Sequence, residues 1–324
     1  MCTALSCLAG DHYFGRNLDL EYSFEECVAV TPRNYPFHFR QMGSMLSHLA
    51  IIGMATMDDG YPLYYEATNE KGLSIAGLNF PGLAVYRPVN DKKDNIAPFE
   101  LIPWILGQAS SVAEAVDLLD RINIAQIPFS EAYPLSPLHW IIADADRSIT
   151  VESVNEGLLI CENPIGVLTN NPTFSWHMYN LSNYMHLSPE QARNSFATNV
   201  EISPFSNGMG SIGLPGDFSS ASRFIRAAFV KLNTVFEGEE SRNVIQFLHL
   251  LNSVAMPKGS VRMPGNQNEI TLYSCCCNTT KGIYYYTTYD NCTIRAIDMH
   301  REDLEGKSVQ TYPLLNCPDI RQLN

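Results

Sequence analysis

The chain opens Met-Cys-Thr-Ala-Leu-Ser-Cys, and Cys2 is the residue best placed to do chemistry. Cys is small, and an aminopeptidase removes an initiator Met when the next residue is small. Cys2 would then carry a thiol and a free α-amine together. A thiol ionises near pH 8.5, and only the thiolate attacks well. An α-amine titrates near pH 7.7–8.0, low enough to accept the thiol proton at neutral pH. One residue thus supplies nucleophile and base without a histidine. The stretch GRNLD adds Arg16, whose guanidinium stabilises a thiolate, and Asp19, whose carboxylate accepts from an amine and orients it. Three positions apart on a strict strand, these two face opposite sides. A bend or bulge after the strand is therefore expected to bring both to Cys2.

Competing chemistries find less support. The glycine-rich GMGSIGLPG at 208–216 lacks a following Lys–Ser/Thr and reads as a flexible loop, not a phosphate cradle. Three successive cysteines at 275–277 alternate faces on a strand, so they cannot share one ion; no CxxC pair or zinc-spaced His accompanies them. The eight histidines are dispersed; His139, at a strand start, and His249, on a helix face, read as packed or surface residues. No GxSxG nucleophile elbow occurs. No metal or cofactor is expected. Net charge is −13 with scattered Lys and Arg, which excludes nucleic acid as the expected partner. No apolar run is long enough for a membrane-spanning helix, and no charged segment leads into an apolar one as in a secretory signal. A cytoplasmic protein with nine free cysteines is the expectation.

The elements that must position Cys2 are mainly strands in the first 160 residues. CTALSCLA and HYFGRNLDLEY flank a Gly-Asp turn at 10–11 and read as a hairpin. Further strands are expected at 48–56, 61–68 and 72–79, the last two joined by the polar turn NEKG. A helix over 98–109 is interrupted by Pro103, so only its later part is secure. A second over 110–122 carries a Ser111/Glu114 capping box. Strands at 139–145, 148–154 and 157–163 precede helices at 174–185, 219–236 and 240–256. EITLYSCCCNTT, GIYYYTTYDN and CTIRAIDM close the chain as a meander. Strands then helices without strict alternation predict an α+β layered fold.

Seven stretches, in order, give the chain a family resemblance: MCTALS, YFGRNLDLEYSF, YPLYYEATNEKGLSIAGLNFPG, LSPLHWIIAD, GVLTNNPTFSWH, GLPGDFSSASRFIRAAF and YYYTTYDN. Together they resemble the choloylglycine hydrolase family, the bile salt hydrolases and penicillin V acylases among the N-terminal nucleophile hydrolases. The resemblance implies one domain over residues 2–324 with Met1 removed, folded as a four-layer αββα sandwich with two antiparallel sheets between helical layers. It implies Cys2 as nucleophile, Arg16 beside the thiol, Asp19 holding the amine, and Arg223 as a second arginine of the site. Asn170, through its side chain, and Asn79, through its backbone N–H, are implied as oxyanion donors. The implied reaction cleaves the amide of glycine- or taurine-conjugated bile salts through a thioester, without a cofactor. Family members are commonly homotetramers.

Asn at 79 accords with the bile salt branch, since penicillin V acylases tend to carry Tyr there. A broad apolar wall is expected for a sterol, with Leu20, Phe24, Tyr65, Ile127, Phe129 and Leu135 as candidates. Penicillin V acylase activity and a non-catalytic bile-salt binder are the competing readings. A retained Met1 would point to the binder.

Overall fold

Small and apolar side chains on either side of Gly10, itself in the left-handed region at φ 76°, make the opening hairpin. β1 (Cys2–Ala9) and β2 (Asp11–Leu20) pair with Ala9 opposite Asp11 and Cys2 opposite Leu18. The computed structural model describes all 324 residues. There follow β3 (Cys27–Thr31), β4 (Ile51–Asp58), β5 (Tyr61–Asn69), β6 (Ser74–Asn79), α1 (Leu101–Gln108) and α2 (Val112–Leu119). Next come β7 (Leu138–Ala143), β8 (Ser148–Val154), β9 (Gly157–Glu162), β10 (Val167–Leu168), α3 (Phe174–Asn180), α4 (Ser220–Asn233) and α5 (Glu240–Asn252). β11 (Asn268–Asn278), β12 (Ile283–Thr288), β13 (Arg295–Asp298) and β14 (Gln310–Pro313) end the chain, and other short strands lie in the loops.

Two antiparallel sheets result. The first runs β10-β1-β2-β11-β12-β13, with Val261–Arg262 added beside β11. The second runs β9-β8-β7-β6-β5-β4-β3-β14. α4 and α5 cover the outer face of the first sheet, and α1 and α2 that of the second, so the layers are αββα, as the resemblance implied. One core joins the inner faces of both sheets to the buried sides of α4 and α5, through Ala4, Leu18, Met54, Leu78, Phe224 and Leu251. A second lies between the second sheet and α1–α2, through Ile75, Trp140, Ile105 and Leu119. Each fully buried Leu or Phe contributes about 1.5–3 kcal/mol.

Local expectations hold with three adjustments. Pro103 is the third residue of α1, inside the first turn where an N–H has no intrahelical acceptor, so the helix is intact from Leu101. Ser111 Oγ caps Glu114 N–H at 3.3 Å, but the Glu114 carboxylate accepts from Ser110, one residue earlier than a capping box requires. The helix expected over 174–185 is α-helical only to Asn180 and continues as a 3₁₀ turn at Leu181–Tyr184. Cys275, Cys276 and Cys277 are all buried in β11. β11 passes so close to β2 that a Cβ on Gly15 would lie 1.9 Å from the Cys275 carbonyl oxygen, which excludes any side chain next to Arg16.

Candidate active site

Strand register decides which groups meet Cys2. Cys2 pairs with Leu18 and Ala4 with Arg16, and alternate residues share a face, so Cys2 and Arg16 both look toward the second sheet. Thr3, Asn17 and Asp19 look the other way, toward α4 and α5. The strand runs unbroken to Leu20 and the chain bends only past it, at 21–22, so no bend separates Arg16 from Asp19. The irregularity is in its partner, where the β11 register shifts between Thr271 and Tyr273. Arg16 and Asp19 therefore stay on opposite faces and flank the start of β1 from two sides.

Met1 extends β1 by one residue. Its ammonium donates to the Asp19 carbonyl at 2.6 Å and pairs with the Glu269 carboxylate, while its own carbonyl accepts from Asp19 N–H at 2.9 Å. Burial lowers the ammonium pKa. With Met1 present the Cys2 nitrogen is an amide, and its N–H donates to Asn170 Oδ1 at 2.9 Å.

Arg223 comes from the buried face of α4. Nη1 donates to the Cys2 carbonyl and to Thr3 Oγ1, each at 2.6 Å, and Nη2 donates to Asn170 Oδ1 at 2.7 Å. Burial works against its charge, while Asp19 and Cys2 support it. The Asp19 carboxylate is fully buried; Oδ1 accepts from Thr271 Oγ1 at 2.6 Å and Oδ2 has no partner. Burial pushes its pKa up, opposed by Arg223 and the chain-terminal ammonium.

Asn170 is the most heavily braced of these residues. Its Nδ2 donates to the Asn79 carbonyl at 2.7 Å, its N–H donates to Ser220 Oγ at 2.8 Å, and its carbonyl accepts from His177 Nε2 at 2.9 Å. Just before it, the Thr169 carbonyl accepts from His139 Nε2 at 2.8 Å. His139 is thus a packed core residue, stacked on Phe80 with ring centroids 4.2 Å apart. Burial drives His177 down to about 4, so its ring is neutral.

Arg16 crosses to the second sheet. Nη1 donates to the Gly77 carbonyl at 2.6 Å and the Tyr65 carbonyl at 3.1 Å. Both residues line an apolar cavity with Phe24, Leu63, Phe99, Ile127, Phe129, Leu135, Leu138 and Trp140. Of the six residues expected on such a wall, Leu20 alone is not on it: it ends β2 and packs against the first core. Tyr65 Oη is engaged with Thr56 Oγ1 at 2.8 Å.

Arg16 thus links the corner that holds Cys2 to the wall of the apolar cavity, and the wider comparisons name the family. The family model for linear amide C–N hydrolases, choloylglycine hydrolase family, matches residues 2–319. The chain belongs to the choloylglycine hydrolase family. It is 51% identical to a bile salt hydrolase/transferase of Lactiplantibacillus plantarum, over 97% of each chain. It is 41% identical to a bile salt hydrolase/transferase of Clostridium perfringens, over 100% of each. A mutant conjugated bile acid hydrolase from Clostridium perfringens superposes with TM-score 0.93 at 40% identity, covering 100% of both chains.

In this choloylglycine hydrolase family member, polar residues with no motif of their own hold the site: buried Glu66 behind Arg16, buried His177 and half-buried Ser220 on Asn170, buried Thr271 on Asp19, and buried Glu269 on Met1. One signal was present. Glu66 is the sole charge in the otherwise apolar and aromatic strand YPLYYEAT. Its tyrosine partners lie more than 200 residues away in sequence, so spacing could not reveal them.

Proposed function

We propose that this protein hydrolyses the amide bond of glycine- or taurine-conjugated bile salts, with residues 2–324 as one working domain after loss of Met1. Once Met1 is cleaved, the Cys2 nitrogen becomes an amine that takes the thiol proton. The thiolate attacks the substrate carbonyl carbon, and the carbonyl oxygen takes the negative charge. Collapse breaks the C–N bond, the α-ammonium returns its proton to the leaving nitrogen, and a thioester remains. Water then attacks the thioester, gives its proton to the same amine, and the thiol is regenerated as the bile acid leaves. Asn170 Nδ2 and the Asn79 N–H are assigned to the oxyanion. Arg16 is assigned to the thiolate, Asp19 to the amine, and Arg223 to the Cys2 carbonyl and Asn170.

The observation that carries this reading is Arg16 itself, which shares the face of Cys2 while donating to two carbonyls of the apolar cavity wall. An apolar acyl group in that cavity brings its carbonyl to the sulfur. Two relatives at 51% and 41% identity are named bile salt hydrolase/transferase, which supports the same substrate class. The buried Arg16 and Arg223 also offset, at short range, the repulsion that a chain of net charge −13 exerts on an anionic substrate. We further place the enzyme in the cytoplasm as a homotetramer. No helix is long and apolar enough to cross a membrane, and the exposed Phe196 and Phe205 offer apolar surface for association.

The test is release of glycine or taurine from glycocholate and taurocholate by protein whose intact mass lacks Met1, run beside penicillin V. Turnover of the bile salts, lost in a folded Cys2→Ala variant, supports the reading. Faster hydrolysis of penicillin V assigns the other branch, and tight binding without turnover by methionine-free protein makes it a binder.

A further inference from the structure

Behind Arg16 lies a buried acid that the chemistry of Cys2 does not by itself require. Glu66, on β5, is 2% exposed. Its Oε2 accepts from Tyr273 Oη at 2.7 Å, and its Oε1 accepts from Tyr284 Oη at 2.6 Å and from Cys275 Sγ at 3.5 Å. Arg16 Nε lies 3.7 Å from Oε2. β11 and β12 turn donors toward this one carboxylate, and β2 sets the Arg16 cation beside it. Burial raises the pKa of this carboxyl, and the Arg16 guanidinium and the Tyr284 and Tyr273 hydroxyls oppose that rise by favouring its charged form.

The other side of the guanidinium explains why its direction matters. β5 and β6 pair at Thr68–Ser74, Ala67–Ile75 and Glu66–Ala76, and there the ladder stops. Tyr65 and Gly77 would form the next rung. Instead the strands part, and Arg16 Nη1 donates to both orphaned carbonyls. Nε donates to the Asn17 carbonyl at 3.4 Å and lies 3.7 Å from Glu66, Nη1 is committed to the parted strands, and Nη2 is buried without a partner. Nη2 is the one nitrogen left for the thiol that shares its face.

We propose that Glu66 is a positioning residue for amide hydrolysis: from the far side it fixes the Arg16 guanidinium so that Nη2 meets the Cys2 sulfur, and it shares the cation's charge with the thiolate. The proposal rests on Cys2 as nucleophile with Arg16 as its charge partner. Without Glu66 the whole positive charge bears on the sulfur. The thiolate then forms at lower pH but is a weaker nucleophile, since nucleophilicity falls with basicity. The other charged groups around Cys2 are Asp19 on β2, Arg223 on α4 and Glu269 on β11. None of them is altered in the variants below.

The experiment compares methionine-free wild type with Glu66→Gln, Glu66→Asp and Tyr284→Phe. The readouts are kcat and KM on glycocholate and the pH of half-maximal Cys2 alkylation by iodoacetamide. Glu66→Gln is expected to lower kcat about tenfold with KM changed less than threefold, and to move the alkylation midpoint down on the order of one pH unit. Glu66→Asp restores part of both effects, and Tyr284→Phe shifts the midpoint the same way by less. A folded Glu66→Gln with an unmoved midpoint overturns the proposal, whether kcat is retained or lost. If that variant does not fold, an unmoved midpoint in Tyr284→Phe overturns it. Should wild type alkylate at Cys2 yet release no glycine, the substrate assignment fails while the midpoint comparison still decides the role of Glu66.

Discussion

Around Cys2, Asn170 engages both atoms of its side-chain amide, and Arg223 donates from Nε, Nη1 and Nη2 at 2.6–3.1 Å. The adjoining cavity is held differently. Its wall is largely rings in loose contact, with Phe99 and Phe129 5.1 Å apart at their centroids and Phe129 and Tyr133 6.1 Å apart. In the first region each atom has an address, because a buried polar group without a partner is costly. In the second only shape and apolarity count, and neighbouring side chains can substitute for one another. The difference predicts that substitutions near Cys2 act on the chemical step, and substitutions in the cavity on substrate affinity.

The largest effect is expected from Asn170→Ala. It removes the assigned oxyanion donor and strips Arg223 Nη2 and the Cys2 nitrogen of their shared acceptor. kcat on glycocholate is expected to fall about 10²–10³-fold with KM little changed. Steady-state kinetics check this. A variant that instead raised KM at constant kcat would dissolve the contrast between the two regions.

The same bracing makes the catalytic corner sensitive to acid. Burial holds His177 at about 4, against an ordinary value of 6.5, and it does the same to His12, which lies between Ser6 and Thr279 in the first sheet. The unfolded chain binds protons at both positions before the folded one does. Stability is therefore complete above pH 6.5 and is lost as pH falls toward 4, by about 3 kcal/mol at each histidine. Asp19 and Glu66 act in the opposite sense. Burial raises both carboxyls, so the folded state takes their protons first and gains stability as pH falls. Urea denaturation at pH 7 and pH 5 measures the balance. His177→Asn, which keeps a side-chain N–H able to reach the Asn170 carbonyl, is expected to lose less stability between those pH values than wild type.

The contrast also separates what the sequence discloses from what it hides. Cys2, Arg16 and Asp19 could be singled out from residue type and spacing, Asn79, Asn170 and Arg223 only through the family resemblance, and the hairpin that orders the first three follows from a Gly-Asp turn. The four-layer order was legible only through the family resemblance, since alternation along a strand says which residues are buried but not which sheet covers them. Glu66, Ser220, His177 and Thr271 were not legible as supports, because each acts across a distance that only the fold closes. The bend after β2, at 21–22, lies past both Arg16 and Asp19 and does not bring them together; the extra residue fell in β11, and the two side chains flank the chain end from two faces.

The smallest expected effect belongs to the cavity. Phe129 touches Phe99, Tyr61 and Tyr133 and faces the space assigned to the acyl group, with the Arg40 guanidinium 5.3 Å from its ring centroid. Phe129→Ala removes apolar surface that the substrate covers but no group that touches the reacting carbonyl. The loss of one such contact weakens binding by about 1–3 kcal/mol, felt alike in ground state and transition state. KM for glycocholate is therefore expected to rise roughly tenfold with kcat within about twofold of wild type. The neighbouring rings can close part of the gap, which holds the effect toward the lower end of that range. A fall in kcat comparable to that of Asn170→Ala would mean that the cavity wall, like the braced corner, sets the position of the reacting carbonyl.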